Sequence, residues 1–421
     1  MRLYIDINSI KIGFFIALLS SGAIYLDWFG VVIPFVNTIL GLLTIYFLLK
    51  SDSRVWFWSG FFIGVLWFWW ISMSFKNYGF AWATPFGVLF VGFGYGLIFL
   101  FFSKISEFIS SKFNNSYFLN LIFKATVLLL FSYFHPIEFD WFKPELIFTN
   151  SYLGIEKWQF AIVLLANILS IYKKNLLYLF LVILSFPINS YLDRTPLPKN
   201  SIVLSNSMTT VEDKWNSKLQ SKHINIVLTK IEKAIANRKR LIIFPESIFA
   251  FFLNTNPELM TLLEGLSNDI TIVIGGLYLD GDTPRNSTYI FKKGQFQIAN
   301  KAVLVPFGEQ NPLPKWLGKI VNDIFFDGAP DYVASNSVTD YVIDGVKYRN
   351  AICYEGTSEK LYKDKPKNMI LISNNGWFVP SIEPIEQKIL LQYYSKKYGT
   401  TIYHAVNMSP SYIIYEGRVY K

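Results

Sequence analysis

Three kinds of residue are scarce in this 421-residue chain, and each scarcity closes off a class of chemistry. There is one cysteine, Cys353, so no intramolecular disulfide can form and a Cys-rich metal site is excluded. The three histidines, His135, His223 and His404, are scattered without ligand spacing, so no metal and no other cofactor is expected. Charged residues are only 16% of the chain, against about 25% in an ordinary soluble domain. The net charge of +9 would suggest nucleic acid if Lys and Arg clustered on one soluble surface. Many of them sit instead in short turns between apolar segments, so no nucleic-acid partner is expected.

Hydrophobic residues make up 52% of the chain, and they are concentrated before about residue 190. The later residues have the composition of a globular protein. This break divides the chain into a transmembrane helical domain, 1–192, and a second domain, 193–421, with Asp193–Lys199 as linker.

A membrane helix needs about 20 mainly apolar residues to cross ~30 Å of hydrocarbon. Residues 12–49 are apolar apart from an interruption at Asp27-Trp28-Phe29-Gly30, which suits two short crossings. Further candidates lie near 55–74, 80–103, 117–134, 157–172 and 175–190, about seven in total. The first does not read as a cleavable signal peptide, because no small-residue cleavage site follows it.

Loop charge sets orientation in such proteins, Lys and Arg favouring the cytoplasmic side. With a cytoplasmic start, that side holds Arg2, Lys11, Lys50, Arg54, Lys104, Lys112, Lys173 and Lys174. The other side holds Lys76, Lys143 and Lys157, diluted by Glu138, Asp140, Glu145 and Glu156. Seven crossings then deliver residue 191 onward to the outer face. Lys124 falls inside the fifth apolar segment, where a charge either marks function or pairs within the bundle. Trp67, Trp69 and Trp70 crowd a segment end, as an interfacial aromatic belt does.

From about residue 200, short apolar runs alternate with polar helical stretches, the pattern of an α/β layered domain. Strands are expected at Ser201–Leu204, Leu241–Phe244, Ile270–Ile274, Thr288–Lys292, Asn350–Ile352, Met369–Ile372 and Thr401–Val406, and a helix over 216–238. Three strand ends carry reactive side chains: Glu246 in Phe-Pro-Glu-Ser, Lys301 with Glu309 in Asn-Lys-Ala-Val-Leu-Val-Pro-Phe-Gly-Glu, and Cys353 in Ile-Cys-Tyr-Glu. Together they suit acyl transfer. A thiol is largely protonated at neutral pH and needs a base or a nearby cation. Glu246 could take the proton, and Lys301 with a backbone N–H near Tyr354 could stabilise the tetrahedral oxyanion. Taken singly, Cys353 could be a small buried hydrophobe, Glu246 a helix N-terminal acid and Lys301 a surface cation.

These words, together with Val305-Pro-Phe-Gly-Glu309 and Ser373-Asn-Asn-Gly-Trp-Phe378, resemble the carbon–nitrogen hydrolase (nitrilase) superfamily. Joined to a multi-span membrane domain, they resemble the apolipoprotein N-acyltransferase family of Gram-negative bacteria over nearly the whole chain. The resemblance implies an αββα sandwich facing the periplasm from the inner membrane. It implies a ping-pong reaction in which a phospholipid such as phosphatidylethanolamine loads an acyl chain onto Cys353. The acceptor would be the α-amine of a diacylglyceryl-modified N-terminal cysteine of an apolipoprotein, and the enzyme would act as a monomer. The family's catalytic residues fall on Glu246, Lys301 and Cys353, and its supporting residues on Glu309, Tyr354 and Glu355. Its substrate-lining positions fall on Trp215, Asn286, Trp377 and Phe378.

Residues 310–330 mix Leu313, Trp316, Leu317, Ile320, Ile324, Phe325 and Phe326 with Lys315 and Lys319, which suits either an interfacial loop or a lid packed on its own domain. Many relatives carry a further C-terminal membrane helix; nothing after residue 380 here is apolar enough, so anchoring from the N-terminal side alone is expected. An arginine-rich stretch typical of the family is replaced by Tyr393-Tyr-Ser-Lys-Lys-Tyr398. Two rivals stay open: a membrane-tethered amidase, in which water resolves the thioester, and a transporter or sensor with a degenerate nitrilase-like domain.

Overall fold

The computed structural model describes residues 6–135, 139–187, 201–306, 308–310, 316, 318 and 332–421. The linker Asp193–Lys199 and, apart from Gln310, Trp316 and Gly318, the amphipathic segment 310–330 lie outside the described residues. Two compact units form: Met1–Pro136 with Asp140–Asp193 and Pro380–Ile389, and Ile137–Phe139 with Arg194–Val379 and Leu390–Lys421.

The first unit is helical: α1 (Ile7–Trp28), α2 (Pro34–Lys50), α3 (Ser53–Phe68), α4 (Ser74–Asn77), α5 (Thr84–Ser110), α6 (Ser116–Leu130) and α7 (Lys157–Tyr172), then a 3-10 helix, Leu176–Ser185. Among the described residues, four stretches are long and apolar enough to cross a membrane: Ile7–Trp28, Ser53–Asn77, Ala81–Ser110 and Ser116–Tyr133. The remaining apolar helices, Pro34–Lys50, Lys157–Tyr172 and Leu176–Ser185, are shorter. Apolar helices thus occupy every segment expected from hydropathy, while four reach crossing length.

The bundle is inverted relative to a soluble one. α5 turns Phe86, Phe90, Leu97, Phe101 and Phe108 outward, Phe90 being 76% exposed, and buries Gly92, Gly96, Ser103 and Ser106. Small interior residues with apolar exteriors suit a lipid solvent, where close backbone approach drives packing. A Cβ on Gly60 of α3 would lie 2.6 Å from the Tyr95 carbonyl oxygen of α5, so the two helices meet at van der Waals distance only because Gly60 is glycine. Lys124 is buried and donates to the Ser51 carbonyl at 2.7 Å, at the C-terminal end of α2. Its place is therefore internal pairing, where a cation offsets the negative end of the helix dipole.

The second unit is two six-stranded sheets. The first runs β1 (Ile202–Leu204), β2 (Leu241–Ile243), β4 (Thr271–Asp280), β5 (Thr283–Lys292), β6 (Gln295–Asn300), with β3 (Phe249–Phe252) also pairing β4. The second runs β12 (Arg418–Tyr420), β11 (Tyr412–Tyr415), β10 (Thr401–Asn407), β9 (Asn368–Asn374), β8 (Val346–Ile352), β7 (Asp340–Ile343). Alternation assigns each face its core. Leu241, Ile243, Val273 and Ile290 point to Ile352, Ile370, Ile372 and Ala405 of the opposite sheet. Their neighbours Ile242, Ile272, Ile274 and Phe291 pack outward on Val227 and Ile231 of α9 (Gln220–Ala236) and Leu259 and Leu263 of α10 (Pro257–Leu266). The strands read as continuous apolar runs because both faces are covered. On the second sheet, α11 (Glu383–Tyr398) bonds through Gln392 and Ser395 to Gly417. The result is an α/β sandwich of four layers.

Candidate active site

Side chains of ordinary chemistry become a site here because three strand ends converge. β2 ends at Ile243, and the loop that follows presents Glu246 and puts Ser247 at a φ of +45°. A Cβ on Gly275 of β4 would lie 2.6 Å from the Ser247 nitrogen and 2.7 Å from Glu246 Cα, so only glycine lets the strand pass this closely. The loop leads into β3, so Glu246 is not a helix N-terminal acid. β6 ends at Asn300, and Lys301 is tied on both sides: its N–H donates to the Asn286 carbonyl at 2.9 Å and its carbonyl accepts from Ser335 at 2.7 Å. β8 ends at Ile352, and Cys353 opens a 3-10 turn with φ +53°, a conformation uncommon for any residue but glycine.

Lys301 is 1% exposed and so is no surface cation. Its Nζ lies 2.7 Å from Oε2 of Glu309, 2.9 Å from Oε1 of the same carboxylate, and 3.8 Å from Oε1 of Glu246. Asn286 Nδ2 donates to Oε1 of Glu246 at 2.8 Å and to Oε1 of Glu309 at 2.9 Å. The Val305 N–H completes the shell of Glu309 at 2.9 Å. Burial pulls the Lys301 pKa down, but Glu309, Glu246 and Cys353 outweigh it and the net shift is upward, so the ammonium is retained. The charge of Cys353 is felt at Lys301, and the thiol is half-buried at the edge of the inter-sheet core.

Glu355 does a different task. Its Oε1 accepts from Ala302 N at 2.6 Å and Val303 N at 3.1 Å, and its Oε2 from Ile352 N at 2.7 Å. One carboxyl therefore clamps the chain just after Lys301 to the residue just before Cys353. Burial pushes its pKa up to about 7, against the pull of Lys301 and the three N–H donors.

Tyr354 is buried directly after the thiol. Trp215 ends the short helix α8 (Val211–Trp215) and is 48% exposed; Trp377 ends a 3-10 turn, Asn375–Trp377, with Phe378 next to it. These elements adjoin: a Cβ on Gly376 would stand 3.5 Å from Val211 Cγ2. Asn407 fastens the region, donating to Asn374 Oδ1 at 2.7 Å and to the Thr209 carbonyl at 2.8 Å. Asn407 and Lys214 were not singled out from sequence. Lys214, beside Trp215, is 5% exposed and donates to the Glu246 carbonyl at 3.2 Å. A lysine next to a tryptophan carries no signal of burial, so only the fold reveals it.

The arrangement can hold a carboxylate, an ammonium and a sulfur in mutual electrostatic contact, which is what thiol-based acyl transfer needs. The family model for the apolipoprotein N-acyltransferase integral membrane domain matches residues 7–190. The chain is 38% identical to the apolipoprotein N-acyltransferase of Wolinella succinogenes, covering 97% of this chain and 96% of that one. It is 33% identical to the enzyme of that name from Helicobacter pylori, covering 92% and 91%, and 35% identical to that of Campylobacter jejuni, covering 95% and 88%. Among solved structures, an amidase from Nesterenkonia sp. is 12% identical with a TM-score of 0.40 over 54% of this chain and 88% of that one, too slight a likeness to support an argument. With sequence similarity running end to end through an integral membrane part and an α/β sandwich, the chain belongs to the apolipoprotein N-acyltransferase family and is a membrane-embedded acyltransferase.

Proposed function

We propose that this enzyme moves an acyl chain from a phospholipid such as phosphatidylethanolamine, through a Cys353 thioester to the α-amine of a diacylglyceryl-modified N-terminal cysteine. The observation that carries the reading is the Lys301 ammonium, buried between Glu309 and Glu246 with Cys353 in its field. In the first half-reaction Glu246 takes the thiol proton and Sγ bonds to the ester carbonyl carbon. The oxyanion forms against Lys301 and a backbone N–H at Tyr354. Collapse breaks the ester C–O bond, the glycerol oxygen takes the proton back from Glu246, and lysophospholipid leaves. In the second, the amine nitrogen attacks the thioester carbonyl, Glu246 accepts its proton, the C–S bond breaks and the sulfur is reprotonated. Glu309 and Asn286 hold the acid and the ammonium in place, and Glu355 sets the separation of Lys301 from Cys353. Trp215, Trp377 and Phe378 supply an aromatic rim for lipid substrate.

The same proposal places seven crossings in the inner membrane, the second unit in the periplasm, and a single chain as the working form. Support comes from the charge of the loops. Eight basic residues fall on the cytoplasmic side against the three outer-side lysines, Lys76, Lys143 and Lys157, the last two of which pair with Asp140 and Glu145. The three shorter apolar helices would complete the crossings; a 17-residue α-helix such as Pro34–Lys50 spans roughly 25 Å and fits a locally thinned bilayer.

Purified protein incubated with phospholipid carrying a labelled acyl chain tests the chemistry. A hydroxylamine-sensitive adduct is expected, absent in Cys353→Ala, and discharged onto a diacylated lipopeptide. Discharge to water alone would mark an amidase, and no adduct would defeat the reading. Cys353 is the chain's only thiol, so its labelling by a membrane-impermeant maleimide in spheroplasts reports topology. Protection there, with labelling after lysis, would put the domain inside the cell.

A further inference from the structure

A lysine costs free energy to bury, and Lys214 is buried with no carboxylate among the described residues on its ammonium. Its Nζ donates to the main-chain carbonyl of Glu246, the residue whose loop already needs a left-handed Ser247 and a glycine at 275. The helix that carries it is fixed at its start by Thr210, whose hydroxyl accepts from Asp213 N at 3.2 Å. Pinning a loop requires only a donor; a neutral side chain would do it without the burden of charge. The charge itself therefore needs a reason.

We propose that Lys214 is a positioning residue for acyl transfer, a second enclosed cation that holds the Glu246 backbone and favours the ionised forms of Glu246 and Cys353. The inference rests on the acyl-transfer reading above and deepens it. Lys301 neutralises the carboxylate pair from one side, while Lys214 grips the other end of the Glu246 residue through its carbonyl. Burial pulls the Lys214 pKa down to about 8, with Glu246 and Cys353 pulling it back up, so the side chain is cationic at neutral pH and loses its charge above about pH 8. The charged groups around it are Glu212 and Asp213 on its own helix, His223 on α9, Glu246 on the β2 loop and Cys353 after β8, with Lys301 and Glu309 bound beyond Glu246. Of these, Glu246 and Cys353 are the groups that pull the Lys214 pKa back up.

The test uses the full-length protein in detergent and reads alkylation of its single thiol by iodoacetamide across about pH 6 to 10, a rate that follows the thiolate fraction. Lys214→Met is expected to slow alkylation about tenfold at neutral pH and to move its pH midpoint upward, as loss of a nearby cation requires. Lys214→Arg keeps the charge at all these pH values and is expected to restore the neutral rate. A profile in Lys214→Met that overlays the parent, or equal slowing in Met and Arg, would overturn the proposal, because a purely structural role moves stability and leaves the pH profile alone. Should Lys214→Met fail to fold, Lys214→Gln carries the same expectations. The assay contains no lipid, so its outcome stands apart from failure of the parent to form a phospholipid adduct, which would sink the acyl-transfer reading instead.

Discussion

Asn286 donates through Nδ2 to Oε1 of Glu246 at 2.8 Å, and the same nitrogen reaches Glu309 at 2.9 Å. One amide thus keeps two carboxylates at a fixed spacing around the Lys301 ammonium. Hydrogen bonds to charged groups are worth about 1.5–3 kcal/mol, and ~1.4 kcal/mol is tenfold in rate. Asn286→Leu should therefore lower the rate of Cys353 acylation by about one to two orders of magnitude in single-turnover assays. An unchanged rate would show that Glu246 is held by something else.

Lys301 and Glu309 form a buried ion pair at 2.7 Å. Breaking such a pair from one side costs about 3–5 kcal/mol, because the survivor is left charged and dry. Lys301→Met should lower the thermal midpoint markedly and abolish acylation. The double variant Lys301→Met, Glu309→Met should recover much of the midpoint and none of the acylation. Recovery of both would remove Lys301 from the chemistry.

Gly275 and Gly276 are neighbours with opposite tolerances. A Cβ at 275 would sit 2.6 Å from backbone, whereas one at 276 would sit 3.5 Å from the Tyr289 ring. Gly275→Ala should destabilise by about 1–3 kcal/mol, as overpacking does, and displace Glu246 so that acylation falls. Gly276→Ala should cost far less of either. Equal behaviour in thermal melts and acylation assays would mean that the Glu246 loop is free to shift.

Burial raises the Glu355 pKa to about 7, above its unfolded range. Between about pH 4.5 and 7 the unfolded chain has released this proton and the folded chain still holds it. Its contribution to stability is therefore fully present below the unfolded pKa and is lost as pH rises toward 7. The thermal midpoint should show this decline in the parent, measured as the difference from Glu355→Gln, which has no such proton to release. A difference that stays flat from about pH 5 to 8 would contradict it.

Hydropathy located the helices because each spans many apolar residues in a row, yet it could not say that four stretches among the described residues reach crossing length, since a few polar residues such as Ser51 and Asp52, between α2 and α3, end one helix and start the next. The seven expected strands are present, and six of them, β1 at the sheet edge excepted, hold inner positions where two covered faces make apolar runs. The strands that escaped notice, β3, β6, β7, β11 and β12, are short or mixed in polarity, as in Gln295–Asn300. Two of their hairpins did carry a local sign, since Asp344-Gly345 and Glu416-Gly417 both take positive φ in the two-residue turns that join them. Glu246, Lys301 and Cys353 were visible as strand-end words. The Asn286 bridge, the Glu355 clamp and the burial of Lys214 were not, because each depends on residues that only tertiary folding makes neighbours.

Glu246 and Lys301 hang from one sheet and Cys353 from the other. The gap between the Glu246 carboxyl and the Cys353 sulfur is therefore set by the thickness of the aliphatic filling between the sheets, where Val273 and Ile290 meet Ile352 and Ile372. Swapping one of those side chains for a larger one would pry the two side chains apart and, on the proposed mechanism, act as a tuning screw on turnover.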